Sequence, residues 1–183
     1  NPFVAEIARK SLAFHGESQK SSWPYPNKDS ALSAQEYCLR KNSDCFSKIE
    51  DFLGVSCLII DKENSSSAKA FWQHTGLGLS SREAAIALGR EREPSTSAGH
   101  CARGELLNRL ANIYNCDCNL IQLHRSGMAA LTTILTAIKS INGNNPTLQI
   151  GFPYVDVLKL PQIIFQGSDL IIKTKLNHIK EEL

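Results

Sequence analysis

Apolar residues recur at helical spacing through residues 1–14 (NPFVAEIARKSLAF), and the pattern predicts an amphipathic helix. The polar stretch that follows, HGESQKSSWPYPNKDS, holds two prolines and is expected to be a linker or wrapping arm. Its Trp23 and Tyr25 would cover the chain's own core or dock on a neighbouring surface. From Ser30 a helical pattern runs toward Gly54, the expected stop, and VSCLIID (55–61) predicts a buried strand that begins a sheet. Helix resumes around Ala68 to His74, breaks at Gly76 and Gly78, and restarts from Ser80 or Ser81, with Glu83 placed to complete a capping box. Residues 89–104, GREREPSTSAGHCARG, read as a polar loop, and ELLNRLANIYN as a helix.

The most informative stretch is Leu120 to Leu135, LIQLHRSGMAALTTIL. Its short apolar run reads as a strand, its polar turn leads to Ser126 and Gly127, and Met128 to Ile141 continues as helix. After the NGNNP turn come a strand (TLQIGF), a helix (PYVDVLKLPQIIF) that Pro161 would kink or end, a GSD turn, the strand LIIK and the start of another helix, KTKLNHIKEEL. Strands and helices alternating at this spacing predict an α/β fold with a parallel sheet and right-handed crossovers. Ligands of such sheets sit beyond the carboxyl ends of the strands, where Ser126 and Pro153-Tyr154 fall.

The composition is that of an ordinary soluble protein, 42% hydrophobic and 21% charged, and its 183 residues suffice for one domain with an appendage. A net charge of +2 on scattered Lys and Arg gives no reason to expect nucleic acid or a membrane as partner. The first residues lack the pattern of a signal peptide, so a cytoplasmic location is expected. The cysteines at 38, 45, 57, 101, 116 and 118 are expected to be reduced thiols of the core.

Four constellations compete as sites. Cys116-x-Cys118 with His100, Cys101 and His124 lacks the spacing of a zinc site. His100-Cys101, adjacent in sequence, is poorly arranged for a Cys-His hydrolase. Gly76-Leu77-Gly78 lacks the strand and the third glycine of a dinucleotide fingerprint. The Ser126 turn is the best anion site, because the first N–H groups of a helix are free to hold an anion and Gly127 permits close approach. Its alternative is an ordinary capped helix start. Arg90, Arg92 and Arg103 are solvated loop charges or reach an anion. His15, His74 and His178 have no evident partners.

RSGMAALTTILTAI, the strand after it and GFPYVDVLKL together resemble the large-domain core of the cystathionine gamma-synthase group of pyridoxal-phosphate enzymes of fold type I. FWQHTGLGLSSREAA resembles the longer, fungal-type branch of that group, and the resemblance runs from about Phe52 to Leu183. It implies an N-terminal helical arm over 1–52. Residues 53–183 would then form the first half of a mostly parallel, three-layer large domain of the aspartate-aminotransferase type.

It further implies pyridoxal 5'-phosphate as cofactor, with its phosphate on the amides of Ser126, Gly127 and Met128 and its ring stacked on Tyr154. The family borrows an arginine from a partner subunit for the phosphate. The Tyr-x-Arg of the common branch is missing here, and Arg92 is the candidate for that role. The family's Schiff-base lysine belongs to a later Ser-x-Thr-Lys-like segment, and Lys139, Lys159, Lys173, Lys175 and Lys180 do not lie in one. No catalytic residue is therefore assigned.

The expected function is that of the N-terminal part of a transsulfuration enzyme of methionine biosynthesis. It would perform gamma-replacement on an O-acylhomoserine by a thiol such as cysteine, as a homo-oligomer or with a second chain that supplies the catalytic half. Two other readings are a non-catalytic association domain that keeps the fold, and a stand-alone module for a phosphate ligand.

Overall fold

Six consecutive buried residues, Val55 to Ile60, form the strand about which the other elements pack. The computed structural model describes residues 1–93, 95–145, 147–150, 154–165 and 170–173. In chain order the elements are α1 (Pro2–Phe14), β1 (Ser21–Tyr25), α2 (Lys28–Lys41), β2 (Ser47–Phe52), β3 (Val55–Ile60), α3 (Ser65–Thr75) and α4 (Ser81–Ala87). They continue with α5 (Thr96–Tyr114), α6 (Gly127–Asn142), β4 (Thr147–Ile150), α7 (Val155–Ile164) and β5 (Leu170–Lys173).

β3 lies between β1 and β2 and is antiparallel to both. Alternate side chains of a strand point to opposite faces. Leu58 and Ile60 join Ala34 and Cys38 of α2 and Ala68 and Phe71 of α3 in one cluster. Val55 and Cys57 meet Val4 and Ile7 of α1 and Ala84 of α4 in another. Helices thus cover both faces, which is why VSCLII reads as an unbroken apolar run. A third cluster joins Leu160, Ile164 and Phe165 to Met128, Leu131 and Leu135, so that α7 packs on α6. Ile163 of α7 reaches into the first cluster and ties the two parts together.

Several expectations change. The WPY segment is an edge strand of the sheet, not a linker: Tyr25 is fully buried, and the Pro24 carbonyl accepts from Trp72 Nε1 and Leu79 N, both at 3.1 Å. An edge position tolerates Pro24, which has no N–H to give a ladder. The helix from Ser30 ends at Lys41, and residues 47–52 turn into β2. Gly54 stops no helix; with Leu53 it forms the two-residue turn of the β2–β3 hairpin, Phe52 facing Val55. β3 does not start a parallel sheet, since both of its neighbours run against it. Residues 121–123 form no strand: the backbone there is irregular after a 3-10 turn at Cys118–Leu120, and Leu120 is 77% exposed. A short apolar run with no neighbouring strand has no ladder to satisfy its backbone groups. The loop predicted over 89–104 is helical from Thr96 onward.

Other expectations hold. α1 forms as predicted, the Ser80 capping box closes in both directions (Glu83 N to Ser80 Oγ, 3.3 Å; Ser80 N to Glu83 Oε2, 2.9 Å), and β4 and β5 pair in parallel around α7. Pro161 does not end α7, which continues to Ile164. There Arg40 donates to the Ile163 carbonyl and Lys139 to the Ile164 carbonyl, each at 2.8 Å. Two cations at a helix C-terminus oppose the negative end of its dipole. Lys139, expected on a helix surface, is half-buried there, and its desolvation together with the Arg40 charge pulls its pKa down. The GSD turn, the last predicted helix, the end of TLQIGF, Lys175, Lys180 and His178 lie outside the described residues.

The hairpin turn yields a prediction. Leu53 and Gly54 both have positive φ, 52° and 76°, as a type I′ turn requires. Leucine is costly in that region and asparagine is accepted. Leu53→Asn is expected to stabilise the chain by up to about 1 kcal/mol, read from its denaturant midpoint.

Candidate functional site

The C-terminal end of α3 is the meeting point of two helix N-termini. Thr75, fully buried, donates its hydroxyl to the Phe71 carbonyl at 2.7 Å, and its own carbonyl accepts from Thr132 Oγ1 of α6 at 2.8 Å. Gly76 then ends the helix in the left-handed conformation, φ 68°. It lies against the first turn of α6 so closely that a Cβ would stand 2.7 Å from Ser126 Oγ and 2.8 Å from Ala129 N. Gly78 is just as constrained, since its Cβ would lie 2.3 Å from Trp72 Nε1. The two glycines of the GLG segment therefore serve packing.

Ser126 is the N-cap of α6, its Oγ accepting from Ala129 N at 3.1 Å. The N–H groups of Gly127 and Met128 have no hydrogen-bond partner among the described residues, and a Cβ on Gly127 would meet nothing within 4 Å. Arg125, just before the cap, forks onto Glu83 (2.8 and 3.2 Å), the residue that closes the α4 capping box. The turn is thus braced by α3 on one side and by α4 on the other, and two of its amides have no partner among the described residues.

The second N-terminus is that of α7. His74 Nδ1 lies 2.7 Å from Asp156 Oδ1, with both side chains largely covered. Tyr154, the N-cap residue, is 64% exposed. His74 and Tyr154 hold the Asp156 carboxyl below the usual range, and the Asp156 charge pushes the phenol of Tyr154 up.

Ser126, Gly127 and Met128 form the capped first turn of α6, and Tyr154 heads α7, whose Asp156 meets His74 at the same end of α3. Arg92 is exposed between α4 and α5 and makes no hydrogen bond or ion pair with either group. His74, without a partner in sequence, has one in Asp156, and sequence reasoning missed Arg125 and the contacts that bring Glu83 and Gly76 to the turn. Arg125 stands beside the Ser-Gly turn and Asp156 two residues after Tyr154, which are the signals that could have found them.

The cysteines divide. Cys38, Cys45 and Cys57 are core thiols, and burial pushes Cys38 up to about 12. Cys101 and Cys116 are exposed, against expectation: Cys101 lies on α5, which buries none of its residues, and Cys116 follows the end of that helix. Among the described residues, no group of three His, Cys, Asp or Glu side chains could hold a metal ion, and no helix is long and apolar enough to cross a membrane.

Residues 3–80 match the family model of the fungal trans-sulfuration enzyme N-terminal domain. The match supports the trans-sulfuration family. It spans α1 to α3 with the whole antiparallel sheet, and it ends on the FWQHTGLGLS segment that carries Gly76. No curated protein and no solved structure matches the chain.

Gly76→Ala is expected to displace the first turn of α6 or to cost about 1–3 kcal/mol, because the added methyl would meet backbone as well as side chain. A chemical denaturation curve unchanged from that of the parent chain would contradict this packing.

Proposed function

We propose that the chain is the N-terminal part of a pyridoxal-phosphate-dependent trans-sulfuration enzyme of the cystathionine gamma-synthase kind. The whole enzyme would replace the gamma substituent of an O-acylhomoserine by a thiol such as cysteine. The observation that carries this reading is the match of residues 3–80 to the fungal trans-sulfuration N-terminal domain. The geometry after residue 80 agrees with it. Two amides without a partner among the described residues, those of Gly127 and Met128, lie at the positive end of α6, which suits a phosphate. The exposed ring of Tyr154 suits a flat heterocycle.

The cofactor, when bound, acts as an electron sink for carbanion chemistry at the substrate. On this reading the chain contributes the phosphate cradle of Ser126, Gly127 and Met128 and the stacking face of Tyr154. A lysine for covalent attachment and an arginine for the phosphate would come from further sequence or from a partner copy, Arg92 being this chain's candidate for the second role.

A second reading, an association domain without catalysis, draws on α5: Leu106, Ile113 and Tyr114 are all exposed along a helix with no buried residue. One measurement separates the two. Protein isolated from its native source should carry the near-visible absorbance of bound pyridoxal phosphate, and Gly127→Leu should weaken cofactor binding by at least about tenfold with the circular dichroism unchanged. Gly127 has room for the larger side chain within the protein, so the loss would report on the space that a phosphate would occupy. Cofactor retained at full affinity by Gly127→Leu would sink the assignment, and native protein without the band favours the association domain.

A further inference from the structure

The C-terminal end of α7 gathers more positive charge than a helix end needs. Arg40 of α2 donates through Nη2 to the Ile163 carbonyl and Lys139 of α6 through Nζ to the Ile164 carbonyl, so two cations stand on consecutive carbonyls. One of them would already match the partial charge of a helix terminus. Both side chains border a cavity of about 110 Å³, which Glu36, Thr136, Ile163 and Ile164 also line. The other N–H groups of Arg40 and Lys139 have no hydrogen-bond partner among the described residues. The ammonium of Lys139 is also placed where its charge is disfavoured. Burial strips part of its water and the Arg40 charge repels it, while the Glu36 carboxylate opposes both; the balance leaves its pKa lowered. A lysine that is desolvated, or set beside another cation, holds more of its amine in the neutral, nucleophilic form than an exposed one does.

We propose that Lys139 is a nucleophilic lysine whose cavity takes a small oxo acid, with the carboxylate on Arg40 and the carbonyl carbon at Nζ. The size of the cavity, about 110 Å³, admits a molecule of a few heavy atoms and falls well below the roughly 300–1,000 Å³ of sites for larger ligands. A guanidinium with spare N–H groups favours a carboxylate over a neutral group. In the step, the lone pair of neutral Nζ forms the C–N bond while the carbonyl π pair moves to oxygen. That oxygen takes both protons that the nitrogen gives up and leaves as water, so an imine forms without any oxidant or reductant. Lys139 stands thirteen positions after Ser126 on the same helix, about 20 Å along its axis. The oxo-acid site is thus separate from the phosphate cradle, and it does not depend on the trans-sulfuration reading.

The test exposes the full chain to glyoxylate or to acetaldehyde, reduces any imine with cyanoborohydride and locates the secondary amine by peptide mass spectrometry. Lys28, Lys62 and Lys69, all exposed, serve as internal references. With glyoxylate at neutral pH, Lys139 is expected to be labelled ahead of all three. Its preference for glyoxylate over acetaldehyde is expected to exceed theirs by about tenfold, the contribution of one charge-assisted hydrogen bond. Arg40→Gln keeps an amide for the Ile163 carbonyl and should bring that preference down to the reference value, with the circular dichroism unchanged. Labelling of Lys139 no faster than that of the references is what a lysine that only caps α7 would give, and it overturns the proposal. The parent chain alone reads that outcome if the variant does not fold. Lys139 labelled first, but with the preference of the references, overturns the assignment of an oxo acid to the cavity.

Discussion

The contact on which the candidate site depends is the one between Gly76 and the first turn of α6. Backbone meets backbone there at a separation that excludes even a methyl group, and the Thr132 hydroxyl closes the Thr75 carbonyl a turn further along. The Thr75 carbonyl at the end of α3 thereby has the partner that a free helix end would seek in water. The position of the Ser126 turn follows from this junction, and the orientation of α7 follows from the His74–Asp156 pair one residue before it. A short segment, His74 to Gly76, thus places two helices that are distant from it in sequence.

Local chemistry was legible in the sequence wherever one residue decides it. The Ser80 and Ser126 caps, the break at Gly76 and the burial of VSCLII follow from side-chain oxygen, missing Cβ and continuous apolarity. What could not be read was pairing. Residues 47–52 carry a strand only because β3 offers them a ladder, and residues 121–123 are none because no strand lies alongside among the described residues. Trp23 and Tyr25 looked like linker because of the prolines around them, yet Pro24 costs an edge strand no hydrogen bond. Parallel order was correctly expected for β4 and β5, whereas the sheet that β3 was expected to begin is antiparallel.

The candidate site shows the same division. Ser126 to Met128 form a local motif, and the Ser126 cap is legible in it. Gly76, Glu83, Arg125 and the His74–Asp156 pair come from separate stretches, and only folding brings them to the turn. Arg92 illustrates the limit from the other side: an arginine in a polar loop carries no local signal of what it will reach.

The fork of Arg125 on Glu83 has a consequence for the kind of anion site this turn can be. The cation nearest to Ser126 in sequence is already matched by a carboxylate, so an anion held at this turn would rely on the directed dipoles of Gly127 and Met128. Attraction between mobile charges fades within a Debye length as salt is added, whereas aligned amides at contact distance are screened far less. Recognition at such a turn selects by shape and hydrogen-bond direction, and it discriminates among anions that a cluster of arginines would treat alike.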